Sequence, residues 1–98
     1  MIQKAVTYQK WLRVYSKGPV WPERMIVLAV RWRDASFAEE IQNSGTIIAM
    51  SLGVVVEATA DHVKLASEVF EDKSVRDVTT IPSGMVERVG VLATLDTP

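Results

Sequence analysis

The only histidine of the chain, His62, lies in a polar segment, Thr59-Ala60-Asp61-His62, whose composition is typical of a tight turn. An imidazole in such a turn can stack on a nucleobase or respond to pH near neutrality. A solvated histidine without a role is the alternative, and it is the one we favour. With no cysteine and no second histidine, the sequence offers no zinc site.

A second group of candidate residues is cationic. Residues 1–24 carry a net charge of +4, whereas the remaining 74 residues carry −5. Within this basic segment, Lys10, Arg13 and Lys17 recur at a spacing that places them on one side of a helix. Such a face can bind the phosphates of a nucleic acid. It can also dock on an acidic surface of the same chain or of a neighbouring chain, and we favour that second interpretation.

Acidic and nucleophilic residues predict no catalytic chemistry. Glu71, Asp72 and Asp77 could hold a hard cation, although a solvated loop is the preferred interpretation. Nucleophilic catalysis requires a base within reach of the nucleophile, and one histidine among scattered serines does not indicate such a pair. The five glycines follow no phosphate-binding pattern, since a turn or a bend explains each of them. We therefore expect neither an enzyme nor a bound cofactor.

The elements that must position these residues are organised around Thr46–Phe70, which predicts two strands joined by the turn at His62. In the first arm apolar residues fall at every second position and so share one face of a strand. They are Ile48, Met50, Leu52, Val54 and Val56. Gly53 lies within this arm and predicts a sharp bend or the close approach of another backbone. A second alternation starts at Val63.

Upstream of this hairpin the spacing predicts a helix over Ile2–Ser16, which Gly18-Pro19 would terminate. Its apolar side gathers Ala5, Tyr8, Trp11, Leu12 and Tyr15, opposite the basic face. The aromatic side chains could stack on bases, but burial against the domain is the preferred interpretation. Residues 18–24 contain two prolines and are predicted to form an extended linker. Met25–Asp34 alternates as a strand with Ile26, Leu28, Val30 and Trp32 on one face.

The remaining elements complete one domain over residues 1–98. A capping box at Ser36–Glu39 predicts a short helical insertion near residues 36–43. Strands are predicted at 75–81 and 85–92 around a turn at Pro82–Gly84, followed by a frayed tail at 93–98. We expect a mainly β fold with an N-terminal α-helix, in which residues 25–92 form a small, strongly bent, five-stranded antiparallel open barrel. No run is long enough to span a bilayer, so a cytoplasmic protein without membrane contact is expected.

This succession of a helix and five strands resembles the Sm-like (LSm) family over Met25–Leu92. The first family signature corresponds to Leu52-Gly53-Val54-Val55, the turn at 59–62 and Val63-Lys64-Leu65. The second signature, at the junction of the last two strands, corresponds to residues 80–86. The segments RWRDAS, SLGVVVE, LASE and IPSGMV also resemble small uncharacterised proteins carried by bacteriophages. A phage-encoded protein would be located in the cytoplasm of the host cell.

The resemblance implies a closed homo-oligomeric ring, in which strand 75–81 of one subunit pairs with strand 85–92 of the next. Such a ring would satisfy both edges of the open sheet. It also implies that the turns bind single-stranded RNA in the central pore. The corresponding residues are Thr59, Asp61, His62, Ser83 and Gly84. This chain has neither lysine nor arginine in the two turns, so their rim is neutral to acidic.

Three functions follow from these patterns. The first is an Sm-like ring that binds RNA or single-stranded nucleic acid, either at the turns or through Lys10, Arg13 and Lys17, which each subunit would display once. The alternative is a phage-associated structural or assembly ring that docks proteins and does not bind RNA. The third is a monomeric module that lends an open strand edge to peptides.

Overall fold

The computed structural model describes residues 5–34 and 47–97. Helix α1 (Tyr8–Tyr15) precedes five strands, which are all antiparallel and belong to one sheet. The strands are β1 (Met25–Asp34), β2 (Ile47–Ala58), β3 (His62–Val69), β4 (Val75–Pro82) and β5 (Val86–Leu95). The predicted class, a mainly β fold with an N-terminal helix and five antiparallel strands, is confirmed. The predicted insertion near 36–43 lies outside the described residues.

The long strand β2 pairs with a different neighbour along each half. Its first half pairs with β1, from Asp34 opposite Ile47 to Val27 opposite Val54, and its second half pairs with β3 from Val54 onward. Gly53 lies at this change of partner, where a Cβ atom would be 2.7 Å from the carbonyl oxygen of Ala66. The close backbone approach that the sequence predicts at Gly53 is therefore confirmed.

The strand order β4-β3-β2-β1-β5 leaves β4 and β5 as the two edges of the sheet. Because no ladder joins these two strands, the sheet is not closed, and the barrel and the Sm-like fold stay predictions. One short contact lies on the β5 edge. The N–H of Val6 donates to the oxygen of Val89 at 2.8 Å, and the N–H of Val89 donates back to the oxygen of Val6 at 2.9 Å.

The core lies between one face of the sheet and α1. On β1 it receives Ile26, Leu28 and Val30, the side predicted from the alternation. The other fully buried side chains come from every strand of the sheet. They include Val55, Val63, Leu65, Ile81 and Val89. Because large residues of β1 fill the core, β2 faces them across the pair with small residues: Gly53 lies opposite Leu28 and Ser51 opposite Val30.

The alternating residues of β2 consequently lie on the outer face in its first half. Ile48, Met50 and Leu52 are 40%, 57% and 58% exposed, and Met50 is paired with Arg31 of the outer face of β1. Alternation shows that residues share a face without showing which face is buried. The pairing register makes that choice, and here it directs the larger side chains of β2 outward.

Helix α1 is shorter than predicted. The predicted start at Ile2 is wrong, because residues 5–7 are not helical: the backbone of Val6 pairs with β5, and Thr7 is the N-cap. The Oγ1 atom of Thr7 accepts a hydrogen bond from the N–H of Lys10 at 3.3 Å. Tyr8, Trp11 and Tyr15 are buried, with ring centroids 5.6 Å and 4.8 Å apart along the series. The aromatic stripe therefore attaches the helix to the core, as predicted.

Two connections also differ from prediction. The linker at 18–24 is not extended, since the N–H groups of Glu23 and Arg24 both donate to the oxygen of Val20 in a turn. The peptide bond between Trp21 and Pro22 is cis. The predicted tail from residue 93 is wrong as well, because β5 continues to Leu95 opposite Met25. The predicted turn at Pro82–Gly84 is a 3-10 turn over Ser83–Met85.

Candidate functional site

The two turns that the family resemblance assigns to RNA binding lie side by side. Pairing of His62 with Pro82 at the ends of β3 and β4 brings them together. The Ser83 N–H donates to the oxygen of Asp61 at 2.8 Å, and the Ser83 hydroxyl donates to the oxygen of Ala60 at 2.7 Å. Thr59, Asp61, His62 and Ser83 thus share one surface, and Gly84 is exposed beside it.

The electrostatics of this surface disfavour an anionic ligand. His62 Nε2 lies 2.7 Å from Glu57 Oε2, and Lys64 Nζ lies 3.3 Å from the same oxygen. The hydrogen bonds from His62 and then Lys64 lower the pKa of the Glu57 carboxyl below its ordinary value. Because Glu57 engages both basic groups and Asp61 adds a further negative charge, the turns leave little positive charge for phosphates.

Tyr8 connects helix α1 to the same turns. Its hydroxyl lies 2.7 Å from the oxygen of Thr59 and 2.9 Å from the oxygen of His62. Burial raises the pKa of Tyr8 to about 12, because the phenolate would lose its hydration. The hydrogen bond to Thr59 has the opposite, smaller effect on this pKa. Tyr8 therefore holds the start of the helix against the turn between β2 and β3.

We expect the free energy of unfolding to fall as the pH rises from 10 to 12. Tyr8 ionises at its ordinary pKa of 10.0 in the unfolded chain but at about 12 in the folded chain, so the folded state binds more protons in this window. The contribution is fully present below pH 10 and is lost as the pH passes the folded pKa. Urea unfolding across this range measures the effect. Tyr8→Phe should have a flatter profile, and a profile as steep as that of the wild type would contradict the assignment.

A groove of 590 Å³ lies between helix α1 and the neighbouring strands β1 and β5. Its apolar lining comes from the helix and from the sheet, and includes Val6, Trp11, Val14, Tyr15, Ile26, Val89 and Val91. Four basic side chains also line it, namely Lys10, Arg13, Lys17 and Arg24, and no acidic residue is among the lining residues that the structure describes. We call this feature the α1 groove. The three basic residues predicted from helical spacing are thus brought together at one site.

Arg24 is the groove residue that sequence reasoning missed as a site residue. It lies beyond the helix stop at Gly18, and only the turn at 20–24 returns it to the groove. A Cβ atom on Gly18 would be 3.1 Å from one terminal nitrogen of Arg24, so the guanidinium lies directly against this glycine. The excess of positive charge in residues 1–24 was the sequence signal available for Arg24, but a net charge does not show where a side chain lies in the fold.

The charges of the α1 groove are not neutralised by the part of the chain that the structure describes. Within residues 5–34 and 47–97, the ion pairs involve Arg31 and Arg33 with Glu87, His62 and Lys64 with Glu57, and Arg76 with Glu68. The four groove cations take part in none of these pairs. The buried Nε atom of Arg24 moreover has no hydrogen-bond partner in this part of the chain. The groove therefore presents four cations to a ligand.

The outer face of the sheet has a different character. A shallow groove of 320 Å³ lies there, lined by Ala5, Ala29, Arg31, Met50, Arg88, Val89, Gly90 and Leu92. Two of the arginines on this face, Arg31 and Arg33, share the carboxylate of Glu87 at 3.1 Å and 2.6 Å. The hydrogen bonds from Arg31 and Arg33 hold the pKa of Glu87 below its ordinary value, and the bond from Arg31 has the larger effect on this pKa. This face is mainly apolar; Arg31 and Arg33 share one carboxylate, and Arg88 takes part in no ion pair of the described residues.

The acidic residues considered for a cation do not form a metal site. Asp72 Oδ1 accepts from the hydroxyl and the N–H of Ser74 at 2.6 Å and 2.9 Å, which lowers the pKa of the Asp72 carboxyl. Asp77 lies in β4 with a φ of 55°. Among the described residues, no three histidine, cysteine, aspartate or glutamate side chains gather closely enough to hold a metal ion.

Comparison of the chain with known protein families, curated proteins and solved structures returned no match. The resemblances to the Sm-like family and to bacteriophage proteins therefore stay predictions. In residues 5–34 and 47–97, no helix has both the length and the apolar character needed to cross a membrane.

Proposed function

We propose that this protein is a non-enzymatic RNA-binding or single-stranded nucleic-acid-binding protein whose ligand lies in the α1 groove. The observation that carries the proposal is the set of four cations in the groove, which no acidic residue of the described chain pairs with or accompanies in the lining. Phosphate neutralisation with release of counterions supplies most of the sequence-independent affinity for nucleic acids. Four cations along one groove provide that interaction.

The turns are the weaker of the two predicted RNA-binding surfaces. The resemblance assigns recognition to Thr59, Asp61, His62, Ser83 and Gly84. In this chain Glu57 binds the imidazole of His62, and Asp61 would repel phosphates. We therefore assign the affinity to Lys10, Arg13, Lys17 and Arg24, and expect His62→Ala to change RNA affinity less than any substitution in that group.

We expect the Lys10→Ala/Arg13→Ala/Lys17→Ala variant to lose most of its affinity for RNA, because three of the four groove cations are removed. Fluorescence anisotropy of a labelled single-stranded RNA, first at low and then at moderate salt, measures the loss. The matched control is Arg33→Ala/Arg76→Ala/Arg88→Ala, which removes the same charge from strand residues that are not among those lining the groove. Equal losses in both triple variants would contradict the site, and no wild-type binding at low salt would contradict the function.

A homo-oligomeric ring, joined through β4 of one subunit and β5 of the next, is the second element of the proposal. Both strands are edges of the sheet, and unpaired edges favour pairing with another chain. Val6 occupies the β5 edge only at Val89. Among the described residues, none pairs with this edge from Val91 to Leu95, where the neighbouring subunit would bind. A cyclic head-to-tail arrangement would satisfy both edges at once.

We expect Thr80→Pro to convert the oligomer to single chains of 10.9 kDa while leaving the subunit folded. The N–H of Ser83 donates to the oxygen of Asp61, the residue opposite it. In an antiparallel ladder every second N–H of a strand faces the partner strand, so the N–H of Thr79 points toward β3 and the N–H of Thr80 points away from it. A proline at position 80 therefore removes only an outward donor. Light scattering measures the mass.

Thr79→Pro is the matched control for this experiment, because it removes a bond to β3 and should destabilise the subunit itself. A Thr80→Pro variant that keeps the wild-type oligomeric mass would contradict assembly through β4. A wild-type mass of one chain would contradict the ring altogether and favour a monomer that lends its strand edge to peptides.

A phage-associated structural or assembly ring that docks proteins is the second candidate function. The observation that favours it is the exposed apolar row of Ile48, Met50 and Leu52 on the outer face. Exposed apolar side chains that cluster on one face are a common feature of protein-docking surfaces. This candidate predicts an oligomer without nucleic-acid affinity at any salt concentration, which the anisotropy experiment decides.

A further inference from the structure

We infer that the α1 groove binds the sugar–phosphate backbone and not the bases, so that its ligands are single-stranded nucleic acids irrespective of sequence and sugar. This inference rests on the proposed function and specifies the ligand class of the same site. Three observations carry it: the burial of the aromatic rings, the chemistry of the polar lining and the position of the Arg24 guanidinium.

The aromatic rings of the groove offer no surface for stacking bases. Trp11 and Tyr15 are the only aromatic residues among the described lining residues, and they are 6% and 5% exposed. Their rings stack on each other, with centroids 4.8 Å apart and an interplanar angle of 25°. Base recognition on single strands depends on accessible aromatic faces. These rings instead form the packed wall of the groove.

The polar lining of the groove consists of donors suited to phosphates. Among the described lining residues, Lys10, Arg13, Lys17 and Arg24 are accompanied by the hydroxyls of Tyr15 and Thr94 and by no carboxylate or amide side chain. Asparagine, glutamine and acidic side chains read adenine and cytosine edges, and the described lining has none. Arginine and lysine can read guanine edges, but they also bind phosphates whatever the base. Lys10 and Arg13 lie about 4.5 Å apart along the axis of α1, and Lys17 follows two residues after the helix ends at Tyr15. A row of this kind suits an extended polyanion.

Arg24 provides an anchor for one phosphate within that row. Its Nε atom is buried and has no hydrogen-bond partner among the described residues, and its guanidinium takes part in none of their ion pairs. The guanidinium is held against Gly18, where any side chain would approach its terminal nitrogens at 3.1 to 3.3 Å. A positioned guanidinium binds a phosphate through two parallel hydrogen bonds. Lys17, the residue immediately before Gly18, is a second cation of the groove.

The test measures anisotropy with three labelled strands of equal length: mixed-sequence RNA, DNA of the same sequence, and an abasic deoxyribose-phosphate strand. The inference expects the three dissociation constants to agree within about threefold, since the bases contribute little. With four phosphate contacts, the slope of log K against log salt should be about −2.8, which amounts to a loss of about 50-fold between 50 and 200 mM salt. Arg24→Gln should reduce this slope by about 0.7 with every strand.

The outcomes separate the inference from the function on which it rests. Tight RNA binding with no binding of the abasic strand would overturn the inference and leave the proposed function intact. Failure of all three strands to bind at low salt would overturn the proposed function. Arg76→Gln is the matched control, because Arg76 lies on β4 away from the groove, and its slope should equal that of the wild type. Arg24→Lys should keep the slope while weakening affinity, and equal affinity would overturn the anchoring role of the guanidinium.

Discussion

Replacing Trp11 with alanine is expected to lower the free energy of unfolding by about 3–5 kcal/mol, the usual cost of removing a buried large aromatic side chain. Trp11 lies between Tyr8 and Tyr15, with ring centroids 5.6 Å and 4.8 Å away, and is 6% exposed. It belongs to the core cluster that joins helix α1 to the sheet. Its loss therefore opens a cavity that the short helix cannot close by a small shift.

Urea unfolding followed by far-ultraviolet circular dichroism measures this effect without depending on the removed fluorophore. The matched control is Val14→Ala on the same helix, where the side chain is 72% exposed. A surface substitution of this kind should change stability by no more than about 0.5 kcal/mol. Similar values for the two variants would contradict the burial of the aromatic stripe, and a loss of less than about 1 kcal/mol at Trp11 would show that the helix is not part of the core.

The second large effect is expected at Gly53, where alanine should cost about 1–3 kcal/mol through overpacking. A Cβ atom at this position would lie 2.7 Å from the oxygen of Ala66 and 3.1 Å from the Cβ of Leu65. The first of these contacts is with backbone, which cannot rotate away as the end of a side chain can. Strand β3 must therefore move, and this displaces the pairing from Val54 onward.

Gly84→Ala provides the comparison, because a Cβ atom there has no other atom within 4 Å. The two variants introduce the same methyl group and remove the same backbone freedom, so the difference between them isolates the contact with Ala66. We expect a midpoint of urea unfolding clearly lower for Gly53→Ala and nearly unchanged for Gly84→Ala. Equal midpoints would contradict the close approach of β2 and β3.

Much of the fold could be predicted because its signals are local. Strand β1 begins and ends as predicted, since alternation along Met25–Asp34 directly reflects one buried face. The turn at Thr59–His62 and the close approach at Gly53 follow from residue types that few other conformations require. The aromatic side chains of α1 recur at helical spacing, so their joint burial was also predictable.

The predictions failed where a distant residue competes for the backbone. A helical pattern continues through residues 5–7, but hydrogen bonds to Val89 hold Val6 in an extended conformation instead. The same cause extends β5 to Leu95, whose partner Met25 lies 70 positions earlier in the chain. Alternation along β2 likewise did not show which of its two faces is buried. The pairing with β1 decides this, and it directs Met50 outward.

The sequence by itself determined the strands, the turns, the aromatic side of the helix and the excess of positive charge in residues 1–24. Only the tertiary structure decided that this charge lines one groove, because the turn at 20–24 returns Arg24 to Lys10, Arg13 and Lys17. It also decided that Glu57 binds His62, which weakens the turns as a phosphate site. Local patterns follow from backbone geometry, whereas the neutralisation of a charge depends on residues that the fold brings together.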